Sequence, residues 1–117
     1  MIAAAIPLVF GEGFLNRNQH ILEGIQKTLE RRNNKDSLLK HLDAMNQYPP
    51  ISDTASRIDR PCLVLAGADD ALIPADAAKK LAYELKAGYI VFHNTGHSLP
   101  AEAPDRFQQA VMDFLNI

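Results

Sequence analysis

The sequence predicts an α/β architecture in two parts: a helical segment over residues 1–58, then a β-α-β-α unit with two parallel strands over residues 59–117. Three observations carry this reading. Two short apolar runs, Cys62-Leu63-Val64-Leu65-Ala66 and Tyr89-Ile90-Val91-Phe92, are bounded by turn residues. Between them, Ala78, Leu81, Ala82 and Leu85 recur at helical spacing. Ahead of them, apolar residues recur with a helical rather than a strand period.

The chain opens on an apolar stretch through Phe10, interrupted by Pro7 and broken by Gly11-Glu12-Gly13. It is short and has no basic start, which argues against a signal peptide. From Asn18, residues Ile21, Leu22, Ile25 and Leu29 mark one face of a long helix, which Asn33-Asn34 should end. Asp36 or Ser37 can cap a further helix carrying Leu38, Leu39, Leu42 and Met45. Tyr48-Pro49-Pro50 stops it, because proline cannot continue a helix and disfavours helix in the residue before it. Ser52 or Asp53 can cap a short helix ending near Ile58.

The run at 62–66 is uninterrupted, as in a parallel strand covered on both faces. Gly67 closes it, and Asp69-Asp70 to Ile73-Pro74 reads as a loop. A helix over 75–86 follows, then Gly88 and the strand 89–92. Asn94-Thr95-Gly96-His97 is another loop. The last helix runs from Ala103 to Leu115, with Pro104 in its first turn and an apolar stripe of Phe107, Ala110, Val111, Phe114 and Leu115. Strand, helix, strand is a βαβ unit, so the strands should be parallel and the crossover right-handed.

Composition narrows the partners. The 117 residues carry a net charge of −2, with 47% hydrophobic and 22% charged residues, which is ordinary for a soluble globular chain. The basic residues form no patch, which speaks against nucleic acid. No apolar run approaches a membrane span. The single cysteine, Cys62, excludes an internal disulfide and a cysteine-rich metal site, and in its apolar run it reads as a buried thiol. No metal constellation or phosphate-cradling glycine loop is visible, so no cofactor is expected. A cytoplasmic location fits these features.

In an open parallel sheet, chemistry gathers at the carboxyl ends of the strands. Two loops leave those ends here, residues 67–74 and 94–98. Adjacent strands lie about 4.8 Å apart. A carboxylate from the first loop can therefore reach an imidazole from the second. Such a carboxylate fixes the tautomer of the ring and stabilises its cation, leaving the other ring nitrogen to take a proton from a nucleophile. Acidic turn residues and a chance Gly-His are the bland alternative.

From Arg60 to the C-terminus the sequence resembles the C-terminal portion of the α/β-hydrolase superfamily. The resemblance rests on an apolar strand, Gly67-Ala68-Asp69-Asp70-Ala71-Leu72-Ile73-Pro74, a helix, a second apolar strand, Gly96-His97 and a closing helix. It implies a Ser-His-Asp triad in which Asp70 is the acid and His97 the base, in the family's chain order of nucleophile, acid, histidine. The family motif selects Asp70 over Asp69, which is left as a turn residue, and His97 over His20, His41 and His93. Ser98 reads as loop structure. Among members, the resemblance is to 3-oxoadipate enol-lactonase-like and carboxylesterase-like hydrolases of esters or lactones. It also implies that residues 1–58 are a helical cap over the active site, with Phe10, Phe14 and Leu15 as candidate walls. Core packing is the simpler explanation for each of those three.

The family's nucleophile sits in a Gly-x-Ser-x-Gly elbow. Serines 37, 52, 56 and 98 all lack that context, and no oxyanion-hole segment is visible. An acid and a histidine without these cannot run acyl transfer well. The chain is accordingly expected to be a fragment, inactive alone, of a larger hydrolase acting on a small ester or lactone. The alternative is a non-catalytic oligomerising or ligand-binding module with vestigial triad residues. Either way the 62–66 strand is left with an unpaired edge, which predicts homo-oligomers through that edge.

Overall fold

A computed structural model describes residues 2–117 of the chain; Met1, the first residue of the apolar opening stretch, lies outside them. Among the described residues the first half carries helices and no strand. Helices α1 (Ile2–Val9), α2 (Glu12–Arg17), α3 (Gln19–Arg32), α4 (Lys35–Asn46) and α5 (Ser52–Ala55) precede strand β1 (Leu63–Gly67). Then come α6 (Ala75–Leu85), β2 (Gly88–Phe92), α7 (Leu99–Glu102) and α8 (Pro104–Leu115). No helix among the described residues is long and apolar enough to cross a membrane.

Local chemistry accounts for most boundaries. Pro7 sits inside α1, where its missing N–H removes a single intrahelical bond, to the carbonyl of the exposed Ala3. Helix α3 ends at Asn33, whose Nδ2 donates to the carbonyl of Leu29. The cap of α4 differs from expectation. Asn34, rather than Asp36 or Ser37, is the N-cap, and its Oδ1 accepts from the amide of Ser37 at 2.8 Å. Asp36 and Ser37 fall inside the first turn, because the side chain that accepts from N3 must come three residues before it. The apolar stripe of α4 is not buried: Leu39, Leu42 and Met45 are 50%, 55% and 65% exposed. Helix α5 starts after Ile51, so Ser52 lies within it rather than capping it, and it ends at Ala55, short of Ile58.

The two strands are parallel and in register, with Leu63 opposite Gly88, Leu65 opposite Ile90 and Gly67 opposite Phe92. Helix α6 packs on β1 and β2 through Ala78 and Ala82, and Ala55 of α5 is buried nearby. Lys86, in the left-handed region at φ 52°, ends α6. The tightest packing lies under β2. Phe92 is 1% exposed and gathers Leu99 and Ala110, with Leu65, Ala103 and Phe107 against them. The guanidinium of Arg106 covers its ring at 4.5 Å from the centroid, a cation–π contact.

Strand β1 is covered less than its continuous apolar run suggests. Leu63, Val64 and Leu65 are only half-buried. Val64, Leu65, Ala66 and Gly67 point alternately to both faces, yet all four line one cavity of about 430 Å³. The cavity therefore runs along the edge of β1 that faces away from β2, where no strand pairs among the described residues. Cys62, just before β1, shares this openness. Its thiol is half-exposed rather than buried and donates to the carbonyl of Arg60 at 3.3 Å.

Candidate functional site

The sheet ladder continues past the strand ends and carries two loops together. The amide of Ala68 donates to the carbonyl of Phe92, and that of Asp69 to the carbonyl of Thr95. The loops then close on each other through glycines. A β-carbon at Gly67 would overlap the carbonyl oxygens of Thr95 and Gly96, and one at Gly96 would overlap the amide of Gly11. Only residues without a side chain let the three segments approach this closely.

Asp70 and His97 meet at this point. Nδ1 of His97 lies 2.8 Å from Oδ2 of Asp70. Oδ1 of Asp70 accepts from the amides of Leu72 and Ile73, at 2.8 and 2.9 Å. The carboxylate side chain is 8% exposed and the imidazole 44%. Burial works against the charged carboxylate. The Ile73 amide, His97 and the Leu72 amide outweigh it together and hold the Asp70 carboxyl below its ordinary range. A carboxylate only accepts, so Nδ1 carries the hydrogen of that bond and the neutral ring leaves Nε2 bare. Among the described residues no hydroxyl hydrogen-bonds to Nε2. Asp70, His97 and Leu99 line the same cavity that opens along β1, with Ile51, Ser52 and Ile73 around them.

The backbone around His97 is held as firmly as its ring. The carbonyl of Val9 accepts from the amides of His97 and Ser98, at 3.0 and 3.1 Å. Oε2 of Glu102 accepts from the amides of Gly11 and Gly96, both at 2.9 Å, and Oε1 from Ser98 at 3.1 Å. Sequence inspection singles out neither Glu102 nor Val9. Glu102 sits in α7, a four-residue helix with no periodic signal, and its partners include an amide 91 positions away.

The other titratable candidates stay apart. The side chain of Asp69 makes no hydrogen bond among the described residues; the residue is exposed and borders a separate polar hollow with Asn94 and Asn16. His93 is exposed, and its carbonyl serves Thr95 and Arg106. His20 is exposed on α3, and His41 bonds its own helix at the carbonyl of Ser37. Ser98 contributes its backbone amide to the loop. Phe10 stacks on Phe14, centroids 4.9 Å apart, but neither they nor Leu15 line the cavity beside Asp70 and His97. Phe10 borders the polar hollow instead. Among the described residues no cluster of three or more His, Cys, Asp or Glu is placed to hold a metal ion.

Comparison with known proteins fits this geometry. The sequence model of the serine hydrolase (FSH1) family matches residues 13–109. A 2-hydroxy-6-oxononadienedioate/2-hydroxy-6-oxononatrienedioate hydrolase of Paraburkholderia phymatum is 33% identical over 93 residues, 78% of this chain and 32% of that protein. The chain thus spans about a third of the length of the curated relatives it matches. A thermophilic esterase from Thermogutta terrifontis superposes with a TM-score of 0.85 at 24% identity, covering 98% of this chain and 43% of the esterase. An α/β-hydrolase enzyme from a Medee basin deep-sea metagenome library gives 0.81 at 22%, covering 96% of this chain and 42% of that one. These two likenesses speak to the fold: the two-stranded parallel unit and its helices match part of the larger α/β-hydrolase fold of those proteins. The chain belongs to the serine hydrolase (FSH1) family, within the α/β-hydrolase superfamily.

Proposed function

We propose that this chain supplies the acid and the base of a Ser-His-Asp triad to a larger hydrolase acting on a small ester or lactone. The observation that carries the reading is the Asp70–His97 pair. A buried carboxylate, held by two amides, fixes the tautomer that leaves Nε2 free at the mouth of a cavity.

In this reading Nε2 of His97 takes the proton of a serine hydroxyl as that oxygen attacks the carbonyl carbon. Asp70 stabilises the imidazolium that forms. The ring then passes the proton to the leaving oxygen, and water repeats the cycle to release the acid. The nucleophile and the oxyanion donors come from the part of the larger fold that this chain does not span, so the chain alone is inactive. That remainder lies along the free edge of β1, where the cavity opens and where an upstream strand would pair. Residues 1–58 act as the cap and residues 59–117 as the C-terminal part of the catalytic core. The Paraburkholderia phymatum relative is named for hydrolysis of an oxo-dioate and the Thermogutta terrifontis neighbour as an esterase; both names describe hydrolases.

The test is p-nitrophenyl ester turnover by the full-length protein beside its His97→Ala variant. Loss of turnover by a factor on the order of 10³ or more is expected for removal of the general base. Unchanged turnover would sink the role given to His97. The second reading, a non-catalytic oligomerising module, draws on the exposed apolar residues of α4 and the free β1 edge. A coding sequence with no in-frame Gly-x-Ser-x-Gly upstream would favour it.

A further inference from the structure

We infer that Glu102 is a positioning residue for His97: its carboxylate, acting on backbone amides of two separate segments, sets the direction in which the imidazole projects. The inference deepens the triad reading above and rests on it for its functional meaning, although its structural content stands alone.

The bonding of Glu102 decides its role. A half-buried carboxylate usually finds a cation. Among the described residues no basic group lies within ion-pair distance of this one. Its partners are three backbone N–H groups: Gly96 and Ser98, which flank His97 on either side, and Gly11 from the N-terminal helices. Hydrogen bonds to a charged acceptor are stronger than neutral ones. With the Val9 carbonyl taking the amide of His97 itself, three consecutive amides, 96, 97 and 98, are fixed. That leaves the imidazole only its own side-chain torsions, and the bond to Asp70 settles those.

The same carboxylate couples the cap segment to the base. Gly11 and Gly96 share Oε2, and their backbones touch so closely that a β-carbon on Gly11 would stand 2.9 Å from the Gly96 nitrogen. Residues 9–11 are therefore part of the support of His97: a displacement of Gly11 acts on the base through Glu102, and one of α1 also acts directly through the Val9 carbonyl.

The experiment reads the ring of His97 in this 117-residue chain and needs no turnover. Long-range ¹H–¹⁵N correlation of uniformly ¹⁵N-labelled protein, at alkaline pH where the ring is neutral, reports the tautomer of the ring, and the amide correlations report the backbone. The wild type should show a protonated Nδ1 and a bare Nε2. Glu102→Ala should shift the Gly11 and Gly96 amide protons upfield together and lose the single-tautomer signature of His97, while the Ala68 and Gly88 amides of the sheet ladder stay in place. Glu102→Gln keeps one carbonyl oxygen for Gly11 and Gly96 but turns an NH₂ toward the Ser98 amide, so its tautomer signature should fall between the other two. A wild-type ring signature in Glu102→Ala overturns the inference. If that variant does not fold, Glu102→Gln decides: a shifted Gly96 amide with an unaltered His97 ring overturns it equally. Failure of the triad reading looks different, namely the expected ring changes in the Glu102 variants together with full turnover by His97→Ala in the full-length protein.

Discussion

Nδ1 of His97 and Oδ2 of Asp70 sit 2.8 Å apart although 27 positions separate them in the chain. Nothing on their own loops makes this contact. It follows from two parallel strands ending side by side and from Gly67, which lets the second loop lie across the first. The pair is polarised by the company of the other carboxylate oxygen. Oδ1 is occupied by the Leu72 and Ile73 amides, so Oδ2 alone faces the ring.

This asymmetry predicts the effect of Asp70→Asn. The amides of Leu72 and Ile73 keep the asparagine oxygen, and the NH₂ must then face Nδ1. The ring answers by moving its hydrogen to Nε2, where a base is needed. Turnover by the full-length protein should fall by about 10⁴, as for a triad whose acid is made an amide. In the chain itself the His97 ¹⁵N pattern should invert, and an unchanged pattern would refute the prediction.

Acid should weaken the fold through Asp70. Its folded carboxyl titrates below the ordinary 3.8, so the unfolded chain binds the proton more readily. The contribution is fully present above that ordinary value and is lost as pH falls through the lowered one. The urea midpoint of the wild type should therefore decline more steeply below about pH 4 than that of Asp70→Asn. Parallel curves in that window would show that Asp70 does not carry the effect.

Two glycines give opposite expectations. Gly67→Ala forces a β-carbon into backbone oxygens that cannot step aside, and should lower stability by about 1–3 kcal/mol. Gly24 lies exposed in α3 with open space around it, so Gly24→Ala should raise stability by about 0.5–1 kcal/mol. Chemical denaturation of both variants checks the pair.

The unpaired side of β1 should make the chain self-associate. Sedimentation equilibrium is expected to show concentration-dependent dimers, reduced by Val64→Lys, since a lysine on an open strand edge blocks pairing with another chain. A stable monomer at all concentrations would count against it.

The second half of the fold was legible because its signals are local. The apolar runs fall within one residue of β1 and β2, and Pro104 marks the start of α8 as its fixed φ requires. The loops of Asp70 and His97 could be placed for the same reason. Less was visible where partners are distant. Residues Leu99 to Glu102 form α7 without any period to announce it, and the grip of Glu102 on Gly11 joins residues 91 positions apart in the chain. The apolar stripe of α4 was read correctly as helical, yet periodicity shows which residues share a face and not whether anything covers it. Cys62 reads as buried from its apolar run, yet it is half-exposed, because such a run does not show whether anything covers it.

The pairing of Gly67 with Phe92 also limits what evolution can do to this stretch. Side chains keep their faces only if one strand slides past the other by two residues, a travel of about 6.6 Å, which would part acid from base altogether. A one-residue slide would turn the strand inside out. Insertions and deletions between Asp70 and His97 are therefore confined to stretches that can bulge without transmitting the change, such as the turn at Lys86 and Ala87. The spacing of Asp70 and His97 works as a ruler, and a lineage could lose it in a single step.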